Sequence, residues 1–101
     1  MREGANPLRV EPAPEVDARE TCFVYVLGSF GKGGYRTYVG WTSDIDRRVA
    51  QHNAGTGARS TRGRTWTLLY VELHETRPEA MSREWHLKRD RRFRRELTPR
   101  G

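Results

Sequence analysis

The spacing of apolar and polar positions separates a polar first fifth of the chain from a patterned remainder. Residues 1–20 contain three prolines, several charges and few large apolar residues, and they show no period of 2 or 3.6 residues. Such a segment buries too little apolar surface to fold by itself, which predicts a disordered or loosely docked N-terminal arm. The patterned part, residues 21–97, has the size of one domain, and residues 98–101 are a short tail.

Three apolar runs in the patterned part are typical of β-strands. Residues 22–27 are rich in aromatic and β-branched side chains and are followed by Gly28, as expected for a buried strand. The glycine-containing stretch 29–34 predicts a turn, so residues 35–41 should pair with the first strand as an antiparallel hairpin. Residues 66–73 contain the third run of strand-forming residues.

Three helices are predicted from capping residues and helical spacing. The first should begin near Ser43 or Asp44, with the Ser43 hydroxyl able to cap it, and end before Gly55. The second should begin at Thr76, which has the spacing of a capping box with Glu79, and a short third helix is predicted within residues 90–97. The order β-β-α-β-α-α predicts an α+β domain with a small three-stranded, mostly antiparallel sheet flanked by helices.

The first predicted helix carries two polar residues on its apolar face. Four residues recur there at helical spacing: Ile45, Arg48, Val49 and His52. In a structural interpretation, the Arg48 side chain extends to the rim and His52 caps the helix end. In a functional interpretation, both face a site beside the sheet.

The second predicted helix has a carboxylate within its apolar stripe. Glu84 lies on the same face as Ala80 and Leu87. A carboxylate in that position must be paired, bind a metal or stay protonated. Two interpretations remain open: a structural ion pair between Glu84 and Arg48, or a ligand for Mg²⁺, which takes only one or two carboxylates when water and a substrate phosphate complete its coordination.

The predicted hairpin contributes two tyrosines and an unusual glycine. Tyr25 and Tyr38 lie in the two strands, where a tyrosine most often packs in the core with its hydroxyl at the rim. Gly40 indicates the close approach of a ligand or of another backbone. An open strand surface beside two hydroxyls, Arg48 and Glu84 favours a phosphate-cleaving pocket. There, a nearby Arg or metal would lower the pKa of a tyrosine.

Net charge indicates the kind of partner. The formal net charge of +6 favours nucleic acid, with an inert basic surface as the alternative. Six basic residues in the loop after the first helix and near the C-terminus are candidates for phosphate contacts, or else form a solvated charged face: Arg59, Arg62, Arg64, Lys88, Arg91 and Arg92. Three tryptophans can stack on bases, although core packing is the simpler expectation for each: Trp41, Trp66 and Trp85.

Cysteine usage and hydropathy restrict the class of protein. Cys22 is the only cysteine, so no internal disulfide or cysteine-based zinc site is expected, and its place in an apolar run predicts a buried, inert thiol. No apolar stretch approaches the roughly 20 residues of a membrane span, and the N-terminal segment lacks the apolar core of a signal peptide. These features predict a soluble, cytoplasmic protein.

Five elements follow one another in the order of a known family: Phe23-Val24-Tyr25, Tyr38-Val39-Gly40, then Arg48 and His52 on the next helix, and Glu84 on a later helix. With the His-Asn-x-Gly-x-Gly run that starts at His52, they resemble the GIY-YIG nuclease domain over about residues 21–97. The similarity is greatest to the small stand-alone members and to structure-specific endonucleases that work with a larger scaffold protein. The N-terminal nuclease domain of a bacterial excision-repair subunit is more distantly similar.

The resemblance implies roles for the matching side chains. Tyr25 or Tyr38 would act as general base or position the attacking water, and His52 would support them. Arg48 would stabilise charge on the scissile phosphate, and Glu84 would hold one divalent metal ion, Mg²⁺ or alternatively Mn²⁺. Gly40 belongs to the second motif. The first motif has Phe23-Val24-Tyr25, without the glycine of the family pattern.

The resemblance leaves three functional hypotheses. The first is a metal-dependent endonuclease acting on DNA, in repair or recombination. It would select structure or strand rather than sequence, because no sequence-reading motif accompanies the domain. The second is a nucleic-acid-binding module without turnover. The third is a nuclease subunit that needs a protein partner to choose its substrate.

Overall fold

A three-stranded antiparallel sheet forms the centre of the fold in the computed structural model, which describes residues 21–99. Its strands are β1 (Cys22–Ser29), β2 (Arg36–Thr42) and β3 (Thr67–His74). β1 is central, in the order β2-β1-β3, and pairs antiparallel with both neighbours. The predicted hairpin and sheet are confirmed, whereas the prediction of an N-terminal arm lies outside the described residues.

Three helices flank the sheet: α1 (Ile45–Ala54), α2 (Arg77–Arg89) and α3 (Arg91–Leu97). The element order is therefore β-β-α-β-α-α and the domain is α+β, as predicted. A short 3₁₀ turn at Arg59–Thr61, in the loop between α1 and β3, was not predicted. No helix within residues 21–99 has the length and apolar character needed to cross a membrane.

β1 is buried on both faces, which explains its continuous apolar sequence. Successive side chains of a strand point to opposite faces of the sheet. Val24 and Val26 pack with residues of α2 and α3, whereas Tyr25 and Leu27 pack with Trp66 and residues of α1. The sheet thus separates two clusters, and Tyr25 lies on the face that α1 covers.

The first turns of the helices are closed by side-chain caps. At α1 the cap is Asp44, whose Oδ1 accepts a hydrogen bond from a backbone N–H three residues on, at 3.1 Å. The predicted start near Ser43 or Asp44 is confirmed, but the capping side chain is the carboxylate of Asp44 and not the Ser43 hydroxyl. At α2 the Thr76 hydroxyl accepts from the backbone N–H of Glu79 at 3.3 Å, as the capping-box spacing predicted.

A polar cluster around Glu72 attaches α2 to β3. The Glu72 carboxylate accepts from the Tyr70 hydroxyl at 2.5 Å and from Arg83 Nε at 2.8 Å, and it lies 2.7 Å from His74 Nε2. Burial disfavours the charged carboxylate, but these hydrogen bonds outweigh it and hold the pKa of Glu72 below its ordinary value. Cys22 is fully buried and free, as predicted.

Candidate active site

Gly40 and Tyr25 are directly opposite each other in the β1–β2 pairing. A Cβ atom on Gly40 would lie 2.6 Å from Tyr25 Oη and 2.8 Å from Tyr25 Cζ. The space that a side chain would occupy is therefore filled by the Tyr25 phenol, which is fully buried. The interpretation of Gly40 as an open surface for a ligand is wrong, because the close approach that it permits is that of a side chain from the neighbouring strand.

Gly40→Ala is expected to destabilise the protein by about 1–3 kcal/mol, the usual cost of overpacking a close-packed interior. The new methyl group would meet Tyr25 on one side and Tyr38 Cε2, at 3.0 Å, on the other. Neither ring can move freely, because both pack in the cluster beneath α1. Chemical denaturation measures the change. Unaltered stability would show that the two rings have room to shift.

A buried chain of hydrogen bonds extends from Tyr25. Tyr25 Oη lies 2.8 Å from His52 Nε2, and His52 Nδ1 lies 2.8 Å from Thr61 Oγ1. The Thr61 hydroxyl in turn donates to the backbone carbonyl of Ala58 at 2.8 Å. Both His52 and Thr61 are fully buried. His52 therefore does not act as a cap at the end of α1, as the structural interpretation held, but links Tyr25 to the loop that follows the helix.

His52 is held in its neutral form. Burial lowers the pKa of His52 below its ordinary value of 6.5, and the positive charge of Arg48 lowers it further. A neutral imidazole can accept a proton. The geometry thus places a proton acceptor at hydrogen-bonding distance from the Tyr25 hydroxyl.

The Tyr25 hydroxyl is also held in its neutral form. Burial raises the pKa of Tyr25 to about 12, and the charges of Tyr38 and Glu84 add to the increase, while Arg48 opposes it. Arg48 does lower the pKa of Tyr25, as expected of a nearby cation, but desolvation outweighs this effect and the net shift is upward. Tyr25 is therefore a phenol near neutral pH, and it can act as a base only if it passes its own proton to a neighbour.

Tyr38 and Arg48 complete the surroundings of Tyr25 and His52. The centroid of the Tyr38 ring lies 6.3 Å from that of Tyr25 and 4.8 Å from that of His52. Arg48 Nη1 donates to Gln51 Oε1 at 3.0 Å. Arg48 also lines an open cleft of 440 Å³ between the end of β2 and the start of α1, together with Trp41, Thr42, Ser43, Asp44, Arg47 and Gln51.

Glu84 lies at the margin of the buried face of α2. Its side chain keeps 21% of its surface exposed, and Oε2 is 3.5 Å from Lys88 Nζ. Among the described residues Glu84 therefore forms its ion pair with Lys88, and the predicted alternative of a pair with Arg48 is not observed. The charge of Glu84 is nevertheless close enough to Tyr25 to raise the pKa of that hydroxyl. The structure therefore brings together the five side chains singled out in the sequence: Tyr25, Tyr38, Arg48, His52 and Glu84.

The loop after α1 holds this arrangement through contacts that sequence reasoning missed. A Cβ atom on Gly57 would lie 2.6 Å from His52 Nδ1, so only glycine allows the loop to cross so close to the imidazole. The Asn53 side chain accepts from the Trp66 backbone N–H at 2.6 Å and donates to its carbonyl at 3.1 Å. The Trp66 indole N–H donates to the Thr61 carbonyl at 2.8 Å. The His-Asn-x-Gly-x-Gly run was the signal for these contacts.

The predicted phosphate-binding residues divide into exposed and engaged side chains. Arg59 and Arg62 are exposed on either side of Thr61, next to the buried chain. Arg64, by contrast, is used within the protein: its guanidinium donates to Ser29 Oγ and to the carbonyls of residues 29, 32 and 34. Four of its five N–H groups thus hold the hairpin turn, which leaves little of it for a phosphate.

The other predicted cations lie on α2 and α3. Lys88 pairs with Glu84, at the edge of the site. Arg92 forms a well-exposed pair with Glu96 at 3.6 Å. Arg91 borders a separate cavity of 520 Å³, which it lines with Tyr35, Thr37, Arg94, Arg95, Thr98 and Pro99. This cavity shares no lining residue with the cleft beside Arg48 and is therefore separate from it.

Trp85 differs from the core position expected for it. Trp66 is buried and Trp41 half-buried, but Trp85 remains 53% exposed on α2, next in sequence to Glu84. The Arg89 guanidinium lies 3.7 Å from the centroid of the indole, and Arg89 Nη1 donates to the Trp85 carbonyl. The Arg89 guanidinium thus packs against one face of this exposed indole.

The fold and the five gathered side chains define the class of protein. The chain belongs to the GIY-YIG catalytic domain family, which matches residues 21–96. This confirms the resemblance noted in the sequence. The family is one of nucleases, and its members act on nucleic acid.

Individual relatives are UPF0213 proteins. The chain is 50% identical over 66 residues to that of Halobacterium salinarum, covering 64% of this chain and 82% of the relative. It is 41% identical over 85 residues to that of Lacticaseibacillus paracasei, covering 79% and 88%. The solution NMR structure of the UPF0213 protein of Bacillus halodurans is 37% identical and covers 76% of this chain and 81% of that one, with a TM-score of 0.43.

Proposed function

We propose that this protein is a divalent-metal-dependent endonuclease that hydrolyses phosphodiester bonds in DNA. The observation that carries the proposal is the contact between the buried Tyr25 hydroxyl and the neutral His52 imidazole, beside Arg48 and Glu84. A core tyrosine needs a hydrogen-bond partner, but it does not need a buried imidazole, a guanidinium and a carboxylate around one hydroxyl. Hydrolysis of a phosphodiester needs a base, a cation and an acid or metal.

The raised pKa of Tyr25 indicates how the base works. Near neutral pH a phenol cannot keep a proton taken from water unless it releases its own. The Tyr25 hydroxyl is buried in the protein alone, so the proposed step requires that substrate binding admit the attacking water to it. A proton of that water then passes to the Tyr25 oxygen while the Tyr25 proton passes to His52 Nε2. The hydroxide so formed attacks phosphorus, the bond from phosphorus to the leaving oxygen breaks, and that oxygen takes a proton from solvent. Arg48 stabilises the charge that develops on the phosphate.

Glu84 fits the role of a ligand for Mg²⁺, with Mn²⁺ as an alternative. It is a partly exposed carboxylate whose charge acts on the Tyr25 hydroxyl, and its ion pair with Lys88 is long enough to yield to a metal. Residues 21–99 contain no group of three His, Cys, Asp or Glu side chains that could hold a metal together. A single carboxylate is typical of Mg²⁺ sites completed by water and substrate phosphate. A bound ion would stabilise the negative charge of the leaving oxygen.

The exposed cations support a preference for structure or strand over sequence. Arg59 and Arg62 are exposed near Thr61, and Lys88 is exposed beside Glu84. Contacts from these cations to phosphates would position a nucleic acid without reading its bases. Trp85 adds an indole on which an unpaired base can stack. A role in DNA repair or recombination agrees with such selectivity.

Arg59→Ala and Arg62→Ala are each expected to weaken DNA binding without loss of stability. In a plot of log affinity against log salt, the slope should fall by about 1 for each phosphate of duplex DNA that the variant no longer neutralises. Arg64→Ala is the matched control. It should cost about 1–3 kcal/mol of stability, because it removes the hydrogen bonds to the hairpin carbonyls. Fluorescence anisotropy in EDTA measures binding, and urea denaturation measures stability. If all three variants changed DNA binding and stability equally, the division into phosphate-binding and structural arginines would be contradicted.

A cleavage assay with defined substrates tests the proposed function. The purified protein is incubated with labelled single-stranded, duplex, flap and branched DNA, and with RNA of the same sequence, in Mg²⁺, Mn²⁺ or EDTA. Metal-dependent cleavage of one DNA structure is the expected result. Binding without cleavage of every substrate would support a non-catalytic module or a subunit that requires a partner. Addition of a host cell extract, followed by purification of what restores cleavage, separates these two alternatives.

A further inference from the structure

We propose that Thr61 is a positioning residue that fixes the direction of proton transfer from Tyr25 to His52. This inference rests on the proposed function for its consequence, but its structural content can be tested without any cleavage. Thr61 was not among the side chains that the sequence motifs singled out. It reaches the site because the 3₁₀ turn at Arg59–Thr61 lies against the end of α1.

The Thr61 hydroxyl has one proton, and its neighbours determine where that proton points. Oγ1 lies 2.8 Å from the Ala58 carbonyl oxygen and 2.8 Å from His52 Nδ1. If the proton pointed to Nδ1, two oxygen atoms would face each other at 2.8 Å with lone pairs only, which is repulsive. The proton therefore lies on the side of Ala58, and Oγ1 is an acceptor towards His52.

This direction determines the tautomer of His52. Nδ1 must carry the proton that Thr61 accepts, and a neutral imidazole has only one such proton. Nε2 is then bare and accepts from the Tyr25 hydroxyl at 2.8 Å. In the opposite tautomer, Nε2 would carry the proton and point it at Tyr25, and the imidazole lone pair would lie on Nδ1, where it cannot receive the phenolic proton.

Burial makes this arrangement hard to replace. His52 and Thr61 are both fully buried, so water has no ready access to replace either partner of the hydrogen bond between Nδ1 and Oγ1. The Thr61 backbone is itself fixed, because its carbonyl accepts from the Trp66 indole N–H at 2.8 Å. Thr61 therefore holds the imidazole from the side opposite Tyr25, as the second hydrogen bond of a catalytic histidine commonly does.

The direct test is the tautomer of His52 in the wild-type protein, read from long-range ¹H–¹⁵N NMR spectra of the imidazole nitrogens. The expected result is a proton on Nδ1 and a bare Nε2. A proton on Nε2 would overturn the proposal whatever the protein does to DNA. This measurement requires no variant, so it remains decisive even if substitutions at Thr61 prevent folding.

Two variants test the role of the hydroxyl. Thr61→Ser keeps the hydroxyl and should retain the wild-type tautomer and cleavage rate. Thr61→Val has the same shape without the hydroxyl, and it should yield mixed tautomers and cleavage reduced about 10- to 100-fold, the range for groups that orient a catalytic ligand. The reduction should appear in kcat, with the acid limb of the pH profile displaced. An unchanged tautomer in folded Thr61→Val would refute the proposal.

The same spectra distinguish failure of this inference from failure of the proposed function. If the wild-type protein cleaves no substrate but Thr61→Val alters the tautomer, the positioning role of Thr61 stands and the nuclease proposal is the part that fails. If the wild-type protein cleaves DNA and folded Thr61→Val cleaves at the same rate, Thr61 has no such role.

Discussion

Tyr25→Phe is expected to reduce cleavage by about 10²- to 10⁴-fold, the contribution typical of a positioned acid or base. The substitution removes one oxygen atom and leaves the ring that fills the space over Gly40. It breaks the proton path between water and His52, since phenylalanine can neither accept the proton of water nor donate to Nε2. Single-turnover cleavage of the preferred substrate measures the reduction.

Tyr70→Phe is the matched control for this variant. Tyr70 is also a strand tyrosine whose hydroxyl donates to a side chain, Glu72, but that side chain lies on the opposite face of the sheet. Each variant removes one partly or fully buried hydrogen bond, so each should lower stability by about 1–2 kcal/mol. Only Tyr25→Phe should impair cleavage. Equal activity of the two variants would remove Tyr25 from the mechanism.

Comparison of wild-type protein with Tyr25→Phe also tests the burial of the Tyr25 phenol, through the pH dependence of stability. The pKa of Tyr25 is about 12 in the folded protein against 10.0 ordinarily, because burial disfavours the phenolate. A group with a raised folded pKa contributes stability that is complete below pH 10 and is lost as pH rises towards about 12. Two pH units correspond to about 3 kcal/mol. Over this pH range the free energy of unfolding should fall further for the wild-type protein than for Tyr25→Phe.

Glu84→Gln is expected to slow metal-dependent cleavage strongly while binding of DNA is retained. A metal ion contributes several kcal/mol to the stabilisation of charge in the transition state, so its removal should slow cleavage by about 1000-fold. Stability should barely change, because a partly exposed pair with Lys88 four residues away is worth less than about 1 kcal/mol. Cleavage rates over a range of Mg²⁺ and Mn²⁺ concentrations measure the effect.

Glu96→Gln provides the comparison for Glu84→Gln. Glu96 also pairs with a cation four residues away, Arg92, at a similar distance of 3.6 Å, but its side chain is 65% exposed on α3. Both variants remove one negative charge and one surface pair, so any general effect of charge on DNA binding is shared. Wild-type cleavage and metal dependence in Glu84→Gln would place the metal elsewhere or exclude it from the reaction.

The residues of the candidate site could be chosen from the sequence because their signals are local. Arg48 and His52 stand at helical spacing on an apolar face, and Glu84 stands between buried positions of α2. Their spacing along the chain is sufficient to single them out, since a polar residue on a buried face needs a reason. The structure brings these side chains to one place around Tyr25.

The partners of the polar groups could not be chosen in the same way. Arg59, Arg62 and Arg64 look alike in the sequence, but only Arg64 reaches the hairpin turn, about 30 residues away along the chain. Thr61 is one threonine among many until the loop folds against His52. The space over Gly40 was recognised, but its occupant, Tyr25, comes from the neighbouring strand.

By itself, the sequence determined the order of strands and helices, the cap of α2 at Thr76 and the set of side chains around the site, because each follows from periodicity or spacing over a few residues. Only the tertiary structure decided that Arg64 is engaged within the protein, that the Tyr25 phenol is neutral with a raised pKa, and that its hydroxyl meets His52. The physical reason is that hydrogen-bond partners and desolvation depend on groups that are distant in the chain and become neighbours only when the sheet and helices pack.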